Sequence, residues 1–405
     1  MSKRYIGGLI SAFNSLKVAN APTIGTPIRG CSKVCVAFTA PSCVGGGAIS
    51  NYTAVSNPCF ITATGTTSPI TVTGLTNGTA YTFTVNATNV YGPSAFSAAS
   101  SSVTPLLAGT VALFAIGRSP CGNTATRNLY TFASNSSTTG TSASGASGQG
   151  SAAGNNNLAI FALGNNASTG TQTTTRNKYT YSSFANTSAT ASSLAGNSGS
   201  AAGNSTVGIF AIGGCTTITT RNKYTYSCDA STSATASSQG SYGGSAAGNC
   251  TFGIFALGAS FKCGSCSAST VRNKYFYACN TNSTIVAASR NGSWYGSAAG
   301  TGTFGIFATG GNVVYCGNAQ SARCKYVYSA NTNAAATSAT TCSYRGAAAG
   351  NNTVGIFQLG YSGSAFLTTR DKYTYSGCVV SSGAASSVGT YGGSAASNGT
   401  CGVNV

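Results

Sequence analysis

Histidine and glutamate are absent from this chain, and the only acidic side chains in its 405 residues are Asp229 and Asp371. General acid–base catalysis, carboxylate nucleophiles and most metal sites need His, Asp or Glu converging at one point. Two aspartates far apart in sequence do not supply that, and the chemistry left without a cofactor is Cys or Lys alone. The composition therefore argues against an enzyme, with no cofactor and no metal expected. No apolar stretch approaches the roughly 20 residues that span a bilayer, so membrane insertion is not expected either. The opening Met1 to Ala21 carries a short apolar region broken by Gly7, Gly8 and Lys17, and it is not read as a secretory leader.

What is abundant is positive charge and small residues. Twenty Lys and Arg give a formal net charge of +18, yet only 5% of residues are charged and no basic run exceeds two. Such a balance ordinarily points to a polyanion partner. Single-stranded nucleic acid binders also interleave exposed aromatic platforms with the bases, a pattern not established here, so nucleic acid is the least favoured partner. Sixteen cysteines are scattered along the chain. Cys263 and Cys266 have zinc-ligand spacing, but no second such pair and no histidine accompany them. Free thiols or disulfides are both open, and pairing is not readable from spacing.

One unit recurs six times between residues 111 and 405: an apolar strand ending in Gly, an Arg-Asn-Lys-Tyr-x-Tyr segment, then Ser-Ala-Ala-Gly-Asn. The anchoring Phe falls at 114, 161, 210, 255, 307 and 357, at intervals of 47, 49, 45, 52 and 50. A period near fifty residues marks one supersecondary unit copied in space. Within the third copy, Val207 to Gly213 is apolar on both faces, as a strand buried between layers should be. Arg221, Lys223 and Thr225 share one strand face, and Asn222, Tyr224 and Tyr226 the other. With three or four short strands per unit and no helical period, the array is all-β. It most economically forms a six-bladed β-propeller of about 49-residue repeats over residues 106–405. A β-solenoid and two stacked sheets are the alternatives. The glycine after each apolar strand (Gly117, Gly164, Gly213, Gly258, Gly310, Gly360) is similar to that of kelch-type blades, although the kelch Trp is missing. The tail Thr400 to Val405 echoes the start of a unit and is expected to pair with the first one and close the ring.

Residues 21–105 read as a β-sandwich, with strands at Val34 to Phe38 and Ile49 to Val55 and the clearest alternating stretch at Leu75 to Pro93, between Pro, Gly and Asn turns. Leu75 and Tyr81 stand where fibronectin type III domains keep their tyrosine corner, and Asn89, Tyr91, Gly92 and Pro93 look like the loop that follows. The segment resembles that family, with Phe38 in place of its usual Trp. The resemblance implies a spacer or binding module.

Eleven of the 20 cations lie in the recurring motif: Arg127, Arg176, Lys178, Arg221, Lys223, Arg272, Lys274, Arg323, Lys325, Arg370 and Lys372. They are read as a basic ring that is either a polyanion-binding collar or structural, each Arg donating to carbonyls at blade ends while its stem covers apolar surface. Repetition with the fold's own period favours the structural role. The tyrosine pairs are expected in the core between blades, and the Ser-Ala-Ala-Gly-Asn copies are read as turns. Residues that do not repeat are better binding candidates: Tyr242, Arg290, Trp294, Tyr295, Tyr344 and Arg345, expected on loops at one rim.

The opening Lys3-Arg4-Tyr5-Ile6 through Ile10 resembles the start of structural proteins of tailed bacteriophages, and the low-complexity repeats are similar to repeats in phage virion proteins. The resemblance implies a non-enzymatic virion component made in the host cytoplasm. Residues 1–20 would dock on the capsid or tail, with Lys3, Arg4, Tyr5 and Ile6 as docking residues. The repeats would then contact neighbouring subunits, as a homo-oligomer or in many copies, or a host-surface glycan. The competing expectation is a bacterial surface adhesin or lectin that binds acidic glycans.

Overall fold

The computed structural model describes residues 16–29, 33–76, 79–105, 109–166, 169–181, 183–214, 218–262, 265–285, 287, 294–311 and 319–398. The docking residues Lys3, Arg4, Tyr5 and Ile6, the rim candidate Arg290, Cys263 and the tail Thr400 to Val405 lie outside them. The described residues are all-β, without a helix, and divide into two units at Ala108 and Gly109, three residues beyond Pro105.

In the first unit a three-stranded sheet (Ile28–Arg29, Lys33–Val36, Ile70–Thr73) and a four-stranded one (Thr62–Gly65, Asn51–Asn57, Thr82–Asn89, Gly92–Pro93) enclose one core. Alternation decides what is inside: Val34 and Val36, Val72, and Phe83 and Val85 are buried, while Cys35, Thr71, Thr73 and Thr84 between or beside them are less so. The Thr76 amide donates to the Tyr81 hydroxyl at 3.1 Å above buried Leu75, the corner that the sequence predicts. Phe38 packs on Tyr52 with ring centroids 4.6 Å apart. Beyond Pro93 every third residue pairs with every second residue of Thr82–Asn89. The amides of Ser94, Ser97 and Ser100 donate to Ala87, Val85 and Phe83, whose own amides donate to the same serines' hydroxyls. Side-chain oxygens thus stand in for backbone carbonyls along this edge.

The second unit holds six four-stranded antiparallel sheets. The third runs Ser200–Gly203, Val207–Ala211, Arg221–Thr225, Ala230–Ala234, each strand paired to the next. Two expectations are corrected. Ser-Ala-Ala-Gly is a buried strand, the first of each sheet, and only the Asn after it turns the chain: Asn204 Oδ1 accepts from the amides of Thr206 and Val207. The structural sheet is therefore offset from the sequence repeat. The first sheet takes its first strand from the far end of the chain, Ser394–Ser397 pairing with Val111–Ala115, so the pairing strand precedes the tail that the sequence suggests. First strands are neighbours in succession, from Ser151–Gly154 beside Ser200–Gly203 to Ala347–Gly350 beside Ser394–Ser397. Ser394–Ser397 lies in turn beside Ser151–Gly154.

Small residues make this approach feasible. A Cβ at Gly208 would meet the Tyr226 hydroxyl at 2.8 Å and Ala153 of the preceding sheet at 3.1 Å. Gly258 is left-handed at φ 76° and would place a Cβ 2.2 Å from the Tyr242 carbonyl, so no other residue fits there.

Five residues after the first tyrosine of each motif the chain turns in the left-handed region, at Asn135, Phe184, Asp229, Asn280, Asn331 and Cys378. Asn and Asp tolerate that conformation. Where they occur, the tyrosine hydroxyl donates to their side chain, as Tyr130 does to Asn135 and Tyr326 to Asn331. At Phe184 and Cys378 that partner is missing, and the buried hydroxyls of Tyr179 and Tyr373 are unpaired among the described residues, Tyr373 facing a thiol. Phe184 is half exposed, so little core is lost by replacing it. Phe184→Asn is expected to stabilise the protein by about 1 kcal/mol through the restored hydrogen bond. Denaturant unfolding checks this, and the gain should vanish in a Tyr179→Phe background.

Candidate functional site

Each motif arginine opens the third strand of its sheet and is fully buried there, as Arg127, Arg221 and Arg370 illustrate. Its fork reaches into the next sheet. Arg127 donates to Asn177 at 3.1 Å and Asn186 at 2.9 Å, Arg176 to Asn222 and Ser231, and Arg221 to Asn273 and Asn282. Arg272 donates to Asn333, with Cys324 in the remaining place. Arg323 pairs with Asp371 at 2.8 Å, and Arg370 returns to Asn128 of the first sheet at 3.3 Å. Every guanidinium also lies over a phenylalanine of the sheet it reaches, for example Arg127 on Phe161 at 4.5 Å and Arg370 on Phe114 at 4.5 Å. A surface collar is thus not formed by the arginines. They are interior, and their acceptors are mainly side-chain amides of the next sheet rather than carbonyls at sheet ends. Burial pushes Arg127, Arg176, Arg221 and Arg370 down to about 10, which leaves them charged at neutral pH.

The motif lysines are half-buried and diverge. Lys178 pairs with Asp229 at 2.8 Å, while Lys274 lies 3.9 Å from the Phe252 ring and Lys325 4.2 Å from that of Phe304. Lys223 and Lys372 sit at the equivalent half-buried positions.

The non-repeating candidates converge. Two residues before each Ser-Ala-Ala strand the backbone is left-handed, at Gln149, Ser198, Gly243, Tyr295, Arg345 and Gly392. Their amides and carbonyls form a closed cycle. Ser198 donates to Gln149, Gly243 to Ser198, Tyr295 to Gly243, Arg345 to Tyr295, Gly392 to Arg345 and Gln149 to Gly392, all at 2.7–2.9 Å. Side chains at this one backbone position differ in every sheet but for the two glycines. Tyr242, Trp294 and Tyr295 are buried rather than on rim loops, because they pack on one another and on Tyr344 around this cycle. Trp294 stacks on Tyr344 at 5.8 Å, and Tyr344 meets Tyr391 at 6.4 Å. The Tyr295 hydroxyl contacts Ser198 Oγ at 3.0 Å, and burial pushes its pKa up, so it stays neutral.

Arg345 is held between the rings of Tyr295 at 3.9 Å and Tyr391 at 4.2 Å. Beside it lies a cavity of about 320 Å³ lined by Arg118, Asn123, Gln149, Asn165, Arg345 and Tyr391 together with glycines. Arg118, Asn123, Gln149, Asn165 and Tyr391 were not visible as site residues in sequence. Aligning the six copies on Ser-Ala-Ala exposes Gln149 and Arg345 as occupants of one position. Deeper along the same strands, a cavity of about 40 Å³ is lined by Ser151, Ser200, Ser245, Ser297 and Ser394, with the Ser200 and Ser245 hydroxyls unpaired among the described residues.

Among the described residues no group of three or more His, Cys, Asp or Glu is placed to hold a metal ion. Cys35, Cys43, Cys59, Cys121, Cys228, Cys279, Cys342 and Cys378 are free thiols, and Cys250 is disulfide-bonded. Among the described residues no helix is long and apolar enough to cross a membrane.

No family model and no curated protein matches the chain. A crystal structure of domains A168-A170 from titin is similar at 25% identity over 22% of this chain and 32% of the titin chain, with a TM-score of 0.20. The match spans about a third of that chain, and at this score it carries no argument about function.

Two predictions follow from the charges. Asp371→Ala leaves the buried Arg323 unpaired and is expected to cost roughly 3–5 kcal/mol in denaturant unfolding. Asp371→Asn, which restores the residue found at Asn128, Asn177, Asn222 and Asn273, is expected to stay within about 1 kcal/mol of the parent. Partial burial pushes the Asp229 carboxyl up, but Lys178, the Thr190 amide and Tyr224 outweigh it and hold the pKa down to about 2. A depressed carboxyl stabilises the fold above its unfolded pKa of about 3.9 and loses that contribution as pH falls through 2. The stability difference between parent and Asp229→Asn is therefore expected to be constant above about pH 5 and to shrink between about pH 4 and 2. Parallel melts across that range measure it.

Proposed function

We propose that the six-sheet unit is a six-bladed β-propeller and that the protein is a non-enzymatic structural component of a bacteriophage virion, on the capsid or as part of a tail or fibre. The propeller reading rests on the cyclic succession of first strands and on the pairing of Ser394–Ser397 with Val111–Ala115. The observation that carries the virion reading is the opening Lys3 to Ile10, with its resemblance to tailed-phage structural proteins. A fibronectin type III-like module followed by a rigid repeat array suits a spacer and a contact head. The absence of His and Glu, with both aspartates in ion pairs, leaves no acid–base machinery to assign. In this reading residues 1–20 dock on the particle and the propeller meets neighbouring subunits or the host surface.

A bacterial surface adhesin or lectin is the second reading, favoured by the cation-lined cavity beside Arg345. Imaging of native particles at side-chain resolution separates the two. The expected result is this chain on the particle, with residues 1–20 against another virion protein. Particles that lack the chain overturn the virion reading and leave the adhesin.

A further inference from the structure

We infer that the 320 Å³ cavity beside Arg345 is a binding site for a carboxylate-bearing sugar residue, such as a uronic acid unit of an acidic glycan. The inference deepens the surface-contact role proposed above, but its physical argument stands on the cavity alone.

The first observation is where variation is allowed. The cycle Gln149, Ser198, Gly243, Tyr295, Arg345, Gly392 keeps one backbone conformation and one hydrogen-bond pattern, so the fold asks only for a residue that tolerates positive φ. Gly243 and Gly392 meet that requirement without a side chain, and arginine at 345 is not needed for it. Gly392 lies between Gln149 and Arg345 in the cycle, and its missing side chain lets Gln149 pack close against it. A Cβ there would sit 2.9 Å from Gln149 Cγ.

The second observation is an uncompensated, pre-positioned cation. The Arg345 guanidinium is clamped between Tyr295 and Tyr391, and its buried Nε has no hydrogen-bond partner among the described residues. Neither aspartate is available, because Asp229 is paired with Lys178 and Asp371 with Arg323. Arg118 lines the same cavity and adds a second cation. This fork matches a carboxylate, and its orientation is fixed before any ligand arrives.

The third observation is that the surrounding groups are amides and an aromatic ring rather than an apolar lining. Gln149 Oε1 accepts from both Asn165 at 3.1 Å and Asn197 at 3.0 Å. That fixes the Gln149 side chain through its carbonyl oxygen, and its NH2 group is a donor on a residue that lines the cavity. Asn123, Asn165 and Tyr391 line the same cavity. Amides held by hydrogen bonds, together with an aromatic ring, suit a hydroxylated ring, and the volume is that of a small-ligand site.

The test is titration calorimetry of the full chain at low salt with galacturonic acid oligomers, glucose oligomers and inorganic phosphate as probes. The expected result is binding of the uronate oligomer, with neutral sugar and phosphate at least tenfold weaker. Arg345→Gly, which copies two sister positions, should fold normally and weaken uronate binding at least tenfold, and Arg118→Ala should weaken it by a smaller factor. Failure of the uronate to bind, equal binding of phosphate, or unchanged uronate binding by folded Arg345→Gly overturns the proposal. Uronate binding by a protein absent from particles would sustain this site while ending the virion reading. A particle-borne chain that binds no uronate would do the reverse.

Discussion

The interaction on which the six-sheet unit depends is the buried arginine that belongs to one sheet and is satisfied only by the next. Taking a guanidinium out of water costs several kcal/mol unless its donors are met. Here two of those donors are met by an amide pair, and the planar face by a phenylalanine, all carried on the neighbouring sheet. The amide is locked in turn: Asn222 Nδ2 donates to Ser193 Oγ while its Oδ1 accepts from the Ser193 amide. A sheet without its neighbour would expose a charged group aimed at nothing. Lysine cannot replace this arrangement, because one ammonium cannot span two acceptors and cover a ring at once. Since Arg370 reaches Asn128, the dependence runs from the last sheet back to the first and has no free end.

The Nε donors illustrate how one substitution changes this pattern. In five sheets the arginine is paired across the strands with an alanine, as Arg176 is with Ala162, and its Nε has no hydrogen-bond partner among the described residues. A cavity of about 20 Å³ lies beside Arg176, the size of a single water. In the sixth sheet Gln358 takes the place of that alanine, and Arg370 Nε donates to it at 2.7 Å. The side chain performs the task for which the sheet of Arg176 leaves room for solvent.

The strand elements were legible because their signals are local. The apolar run Val207 to Gly213 and the alternation of Arg221 to Tyr226 specify two strands each time they recur, and Leu75 with Tyr81 marks the corner of the first unit. Ser-Ala-Ala-Gly was misread because small residues carry no periodic hydrophobic signal, and it is a strand only because the neighbouring first strands come close enough to bury it. The arginines were ambiguous for a related reason. Charge in a sequence suggests solvent, and the acceptor that makes burial feasible lies about fifty residues away. The coupling of Tyr130 to Asn135 could have been found, since the spacing of five recurs, but its meaning depends on a left-handed turn that composition does not announce.

Separating what repeats from what does not also changes how the net charge is to be understood. The six motif arginines are interior and serve the fold, Lys178 is paired, and Lys274 and Lys325 lie against aromatic rings. A formal charge of +18 is therefore no measure of the field a partner would meet. Among the cations that no period explains, two, Arg118 and Arg345, line one cavity. A repeat scaffold constrains each position six times over, so a residue that departs from the pattern without cost to the backbone is released from folding. Arg345, in a conformation that glycine fills in two other sheets, is such a residue, and selection on it can only act through what it touches.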